Sequence, residues 1–327
     1  MSENSSLSNR IGVVEIGSRG IRLLIADIPP SGRLTTVAHD SREISLALAQ
    51  SRGGEVLDQT LEEVVDIVNG LMKEVQIQKA QRACIFATEA VRRLSDVQIE
   101  NLRAHIPSLE VIDRKTEAEC SLVGALFPFQ TPKPTPETFI IDQGTGSMEL
   151  AVGRISNKGV ELTEYNSYGL GTHNLVERLK KCRGDFRKFS ADLQKEVISL
   201  KTFKVEANLC PIVIGSAGTK VAWIKARKNL SDRYEPGKVH GQMISTESLE
   251  RLVQMAIKDP VGVRRIIDPL NPQSAEFETV MTGIVALSIF LKDLGKSEFK
   301  VSANGSRYGV VWMMASYRKL GFDLPMV

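Results

Sequence analysis

The sequence predicts a duplicated α/β protein, two mixed-sheet domains with a cleft between them, on three observations. A chain of 327 residues is longer than one typical domain of roughly 100–200 residues. Residues 14–25 (VEIGSRGIRLLI) and 141–152 (IDQGTGSMELAV) align with each other without a gap, which places Glu15 and Asp142 at the same point of two copies 127 residues apart. Around these copies, short apolar runs of strand length alternate with runs of helical spacing.

Each copy reads as a β-hairpin, with apolar runs flanking a Gly/Ser turn that calls for unusual backbone angles. Leu57 to Val75 carries apolar residues at Leu61, Val64, Val65, Val68, Leu71, Met72 and Val75, the spacing of a helix. Residues 82–87 (RACIFA) read as a buried strand. Ser95 with Gln98 forms a capping box for a short helix, and Leu109 to Ile112 forms another strand. Thr116 with Glu119 reads as a second capping box, opening a further helix. Residues 127–137 carry Pro128, Pro132, Pro134 and Pro136, which interrupt helix and sheet alike. The boundary is therefore set there, with domains over 1–132 and 133–327. Helices follow at about 172–182, 190–200, 246–258, 274–294 and 307–319. Residues 211–214 and 300–302 are strands that run into Gly215 and Ala303. Whether the last helix, about 307–320, packs back on the first domain is left open, as is a homodimer through its apolar surface.

Composition narrows the function classes. Lys and Arg total 42 against 39 Asp and Glu, a net of +3, which gives no support to a nucleic-acid role. The polar start lacks a signal-peptide apolar region. The longest apolar stretch, 280–291, is too short to span a bilayer, so a cytoplasmic protein with no membrane partner is expected. Cys84, Cys120, Cys182 and Cys210 have no CxxC spacing and read as reduced thiols. The four histidines lack metal-ligand spacing.

The glycine-rich turns share a physical logic. A turn poor in Cβ atoms can aim several backbone amides at one anion. Gly17, Ser18, Arg19 and Gly20 form one such turn, Gly144, Thr145, Gly146 and Ser147 a second, and Gly215, Ser216, Gly218 and Thr219 a third. Hydroxyls of Ser18, Ser147 and Thr219 are expected to add donors. Neither a Walker A loop nor a GxGxxG fingerprint is present. Mg²⁺ takes one or two carboxylates plus water and phosphate oxygens, a role that Glu15, Asp142 and Glu149 are placed to fill. Hydrolysis also needs a group that orients or deprotonates water, for which Glu117 is the candidate. Arg22, Arg92 and Arg307 can match phosphate oxygens with a bidentate fork.

These residues resemble the exopolyphosphatase/guanosine pentaphosphate phosphohydrolase family. Residues 15–22 (EIGSRGIR) resemble its DxGSNSxR motif, and 87–92 (ATEAVR) its ATxALR. Residues 113–119 (DRKTEAE) align with SGxEEAR, whose second glutamate is the catalytic one, here Glu117. Residues 142–150 (DQGTGSMEL) resemble DIGGGSTEL, residues 168–177 (YGLGTHNLVE) PLGAVRLTE, residues 215–219 (GSAGT) GTGGT, and residues 305–309 (GSRYG) GLREG. The resemblance covers about residues 11–315, with seven motifs in family order. It implies a two-lobed actin-like ATPase fold of duplicated ribonuclease H-like domains. It also implies Mg²⁺-assisted hydrolysis of phosphoanhydride bonds and, as substrate, inorganic polyphosphate or a phosphorylated guanine nucleotide, guanosine pentaphosphate.

Several positions depart from the family pattern. Glu15 stands where the family has Asp, and Arg19 and Gly20 where it has Asn-Ser. Thr116 replaces the first Glu of the pair, Glu119 the Arg, and Thr145 and Ser216 replace glycines. These changes motivate a second reading, a sensor that binds a polyphosphorylated ligand without turning it over. A small-molecule kinase on the same fold is the third, although no kinase-type motif is visible. The basic stretch 180–188 reads either as a solvated face or as an electrostatic guide for polyanions.

Overall fold

The computed structural model describes residues 9–28, 34–44, 46, 58–126, 135–157, 159–200, 203–229, 232, 234–267 and 276–316. The chain divides into two compact units. Unit 1 comprises Met1–Thr135, Ile155–Glu161 and Ser306–Val327, and unit 2 comprises Pro136–Arg154 and Leu162–Gly305.

Unit 1 is built on a five-stranded sheet of β1 (Asn9–Ile16), β2 (Gly20–Ile28), β3 (Thr35–Glu43), β4 (Arg82–Ala87) and β5 (Leu109–Val111), in the order β3-β2-β1-β4-β5. β1 and β2 are the expected hairpin, with Glu15 opposite Arg22. β1, β4 and β5 run parallel, so their carboxyl ends share one edge. β4 is apolar along most of its length because it is central and covered on both faces. Helix α1 (Asp58–Ile77) buries Leu61, Val64, Val68, Leu71 and Val75. Its Val75 packs so tightly on Gly12 that a Cβ there would stand 2.7 Å away. A single turn, α2 (Glu89–Arg92), leaves β4, and α3 (Asp96–His105) opens on the Ser95/Gln98 capping box. Helix α4 (Arg114–Leu126) leaves β5 and is buried from Ala118 onward.

Unit 2 repeats the plan. Its sheet has β6 (Thr138–Gln143), β7 (Met148–Ser156), β8 (Gly159–Tyr168), β9 (Ile212–Gly215), β10 (Met243–Ser245) and β11 (Glu298–Ser302), ordered β10-β11-β9-β6-β7-β8, with the end of β7 and the start of β8, within Ile155–Glu161, counted in unit 1. Read from β8, the first five positions reproduce the order of unit 1, with β10 added at the far edge. β6 and β7 form the second hairpin, with Asp142 opposite Glu149. Helices α5 (Thr172–Lys181), α6 (Phe186–Ser199), α7 (Ser216–Ala226), α8 (Pro236–Val239), α9 (Thr246–Lys258), α10 (Pro260–Ile267) and α11 (Glu276–Asp293) complete it. Their core gathers Phe139, Trp223, Ile284 and Phe299, all fully buried. The last helix, α12 (Ser306–Ala315), belongs to unit 1 and packs on α4. At the contact, a Cβ on Gly309 would stand 1.9 Å from the Cys120 carbonyl oxygen. Among the described residues no helix is long and apolar enough to cross a membrane.

Three local expectations are corrected. Gly17, Gly20, Gly144 and Gly146 do not adopt left-handed backbone angles. Glycine answers a steric need instead, since a Cβ on Gly20 would meet the Arg42 carbonyl oxygen at 2.6 Å. The cap of α4 is Asp113, whose Oδ1 accepts the Thr116 amide at 2.7 Å; Thr116 and Glu119 lie inside the helix and form no capping box. Glu119 is instead buried beside Lys115, and burial raises its carboxyl above the usual range. Finally, Gly215 is followed by α7 directly, so 216–219 is the first turn of a helix and not a loop. Most of the proline-rich segment, 127–134, lies outside the described residues.

Candidate active site

In both units the candidate residues collect at the carboxyl ends of parallel strands, where open α/β sheets bind ligands. Unit 1 holds Glu15, Gly17, Ser18, Arg19, Arg22, Arg92 and Glu117, and unit 2 holds Asp142, Gly144, Thr145, Gly146, Ser147, Glu149, Gly215, Ser216, Gly218 and Thr219.

Two clusters form in unit 1. In the first, the pairing of β1 with β2 sets Arg22 beside Glu15, Nη1 to Oε2 3.6 Å apart. Arg307, at the start of α12, brings its Nε to the same oxygen at 3.2 Å, and the Ser306 hydroxyl donates to Oε1 at 3.2 Å. Burial lowers the Arg307 guanidinium from its ordinary value, opposed by Glu15. Glu15 is thus engaged by two guanidinium groups and a hydroxyl, a set that suits a carboxylate orienting both arginines. In the second cluster, Arg92 at the end of α2 donates from Nη2 to Glu117 Oε2 at 2.7 Å and from Nη1 to the Ile112 carbonyl at 2.7 Å. Arg92, expected on phosphate, therefore ties β5 to the first turn of α4 and fixes the direction of the Glu117 carboxylate. The hairpin turn itself closes with the Gly17 amide on the Gly20 carbonyl at 3.0 Å. Among the described residues, the amides of Ser18 and Arg19 make no backbone hydrogen bond, and the Arg19 side chain is exposed.

The turn of unit 2 is built the same way. The Gly144 amide donates to the Ser147 carbonyl at 3.0 Å, and the amides of Thr145 and Gly146 make no backbone hydrogen bond among the described residues. The start of α5 braces this turn. The Thr172 and His173 amides donate to the carbonyls of Gly144 and Thr145 at 3.1 and 2.9 Å, and Asn174 Nδ2 donates to the Gly146 carbonyl at 3.0 Å. The brace requires Gly171, where a Cβ would stand 2.2 Å from the Gly146 backbone. Gly215 is as constrained: its φ is +103°, and a Cβ would stand 2.2 Å from the Gln143 carbonyl oxygen. Beyond it, Ser216, Ala217 and Gly218 present the unpaired amides of a helix N-terminus. The Thr219 hydroxyl, expected as a donor to ligand, is turned back on the Gly215 and Ser216 carbonyls at 2.9 and 3.2 Å. Gly171, Asn174 and Ser306 were missing from the expected set. All three fall within the family-like stretches, but only the packed structure shows what each one holds.

The metal question divides along the same lines. Asp142 and Glu149 stand directly opposite each other in the β6–β7 hairpin. Glu149 is buried and accepts the Ser167 hydroxyl at 3.0 Å. Among the described residues no group of three or more metal-ligating side chains gathers. Two carboxylates suffice for Mg²⁺, which keeps several waters and phosphate oxygens. The pair is of the donor type that the ion takes.

A repeated β3-β2-β1-β4-β5 plan, with turns and carboxylates at the carboxyl strand ends of each copy, defines a protein of duplicated α/β fold, the fold of the solved Ppx/GppA structures. The chain belongs to the Ppx/GppA phosphatase family, whose sequence profile matches residues 24–318. It is similar to exopolyphosphatase 2 of Mycobacterium tuberculosis, 23% identical over 281 residues that cover 82% of this chain and 86% of that protein. The crystal structure of the Aquifex aeolicus Ppx/GppA family member superposes with a TM-score of 0.75 at 23% identity, covering 94% of this chain and 97% of that one. An exopolyphosphatase structure from Cytophaga hutchinsonii gives 0.69 at 19% identity, covering 94% and 98%.

Proposed function

We propose that the chain is a phosphohydrolase that removes terminal phosphate from inorganic polyphosphate or guanosine pentaphosphate, with water activated by Glu117. The observation that carries this reading is the Arg92–Glu117 pair, a half-buried carboxylate aimed by a guanidinium that is itself tied to the backbone. Family membership and the exopolyphosphatase relative support the reaction class. Glu117 accepts a proton from water as the water oxygen bonds to the terminal phosphorus. The bond from that phosphorus to the bridging oxygen breaks, and the bridging oxygen leaves with the electron pair. The products are orthophosphate and a substrate one phosphate shorter. In unit 1 the turn amides at Ser18 and Arg19 are placed to hold phosphate oxygens; in unit 2 those at Thr145 and Gly146, with those opening α7, have the same capacity. Arg22 and Arg307, oriented by Glu15, offset the charge that develops there. Mg²⁺ held by Asp142 and Glu149 would neutralise phosphate charge when bound.

The test is phosphate release from both substrates, with and without Mg²⁺, by the wild type and Glu117→Gln. The variant should bind substrate but turn over at least about 100-fold more slowly, the usual contribution of a general base. Unchanged turnover would remove Glu117 from the chemistry. The competing reading, a sensor that binds without hydrolysis, draws on the altered first turn with Arg19 and Glu15. It predicts binding with no phosphate release by the wild type.

A further inference from the structure

At the end of α5 remote from the Gly144–Ser147 turn stands a cluster of cations that the proposed reaction does not use. Residues 178–188 carry six cations and one acid, a net of +5 against +3 for the whole chain, so the rest of the chain is net negative. Two of the six are neutralised locally, Lys180 by Glu177 at 2.7 Å and Arg178 by Glu196. Lys181, Arg183, Arg187 and Lys188 are exposed and form no ion pair among the described residues. The single acid, Asp185, is committed to capping α6, with Oδ1 accepting the Arg187 and Lys188 amides at 2.8 and 3.1 Å. Arg183 and Gly184, at φ +56° and +77°, make the sharp corner that brings both halves of the cluster together.

The corner is tied rigidly to the candidate site. The first residues of α5 are bonded to the Gly144–Ser147 turn, and α5 is ten residues long, so the cations lie about 15 Å from that turn along a single helix. We propose that this corner is an exosite for linear polyphosphate, which holds a distal stretch of a chain whose end occupies the Gly144–Ser147 turn. The proposal rests on the phosphohydrolase reading and narrows its substrate. Guanosine pentaphosphate carries its phosphates in two short groups, and these do not reach from the turn to the corner. A linear chain does, and flexible Lys and Arg side chains hold such a polyanion through charge alone, with steep salt dependence.

The test compares the wild type with Lys181→Gln/Arg183→Gln/Arg187→Gln/Lys188→Gln on long-chain polyphosphate, tripolyphosphate and guanosine pentaphosphate. The variant should show a KM at least about tenfold higher on the long chain alone, and the slope of log affinity against log salt should fall by about 3, near 0.7 per contact as for single strands. An equal change on all three substrates, or none on the long chain, overturns the exosite. If the wild type releases phosphate from none of them, the hydrolysis reading fails. Direct binding of labelled long-chain polyphosphate then decides the exosite alone, and equal affinity of wild type and variant overturns it. Single-stranded DNA of matched charge bound as tightly as polyphosphate would make the corner a nucleic-acid surface and overturn the assignment as well. Lys181→Gln/Lys188→Gln, which leaves the Arg183 corner intact, replaces the quadruple variant if that one melts early.

Discussion

Glu15 and Asp142 occupy the same position in the two hairpins, yet their surroundings give them different work. Asp142 faces Glu149 across its hairpin, and Glu15 faces Arg22. Arg307 and Ser306 add to the hold on Glu15. Glu15→Gln should therefore disturb the aim of two arginines and leave the metal requirement alone. A charge-assisted contact contributes about 1.5–3 kcal/mol, so KM for polyphosphate should rise roughly tenfold or more at an unchanged Mg²⁺ concentration for half activity. A rise in the Mg²⁺ requirement would return Glu15 to the metal. The acids, arginines and turns were legible in the sequence, because the internal repeat and the motif order mark them. Their partners were not. That Arg92 grips Glu117 depends on β4 and β5 lying side by side, a pairing of segments some 25 residues apart that periodicity does not encode. The inward turn of the Thr219 hydroxyl follows from its place inside a helix, which the glycines around it disguised.

At the scale of elements, the strongly patterned ones were readable. The hairpins, α1, β4 and the Ser95 cap stand where apolar spacing and capping chemistry place them. β3 escaped notice because it is an edge strand with mostly polar, exposed residues and lacks the alternation of a half-buried strand. α7 escaped because Gly215 and Gly218 look like a loop when read alone. Glycine has two opposite meanings within the helices of unit 1. Gly309 of α12 lies so close to the α4 backbone that a Cβ would stand 1.9 Å from the Cys120 carbonyl oxygen, while a Cβ on Gly70 of α1 would meet nothing within 4 Å. Gly309→Ala should cost about 2 kcal/mol or more through overpacking, whereas Gly70→Ala should gain about 0.5–1 kcal/mol of helix propensity. Denaturation midpoints that move in opposite directions would bear this out, and equal shifts would contradict it.

Across the whole molecule, the repeated strand order is the largest feature the sequence disclosed, through two aligned segments of twelve residues. What the repeat does not convey is that unit 1 is discontinuous. α12 follows all of unit 2 in the chain yet packs on α4, where Cys120 Sγ lies 3.8 Å from Met313 Sδ. Burial holds the Cys120 thiol well above its ordinary value in the uncut chain. A chain cut after Gly305 should expose this thiol, so that an alkylating reagent modifies Cys120 rapidly in the truncated form and slowly in the intact one. Equal rates would mean that α12 is not what shields it. The same arrangement sets an order of events on the ribosome. The face of α4 is complete once Leu126 emerges, but its cover begins only at Ser306, roughly ten to forty seconds later at about 5–20 residues per second. Unit 2, continuous from Leu162 to Gly305 apart from its opening hairpin segment, can assemble during that interval, whereas the first unit to be translated must wait with an apolar helix uncovered. Of the two units, the one begun earlier is thus the one finished later.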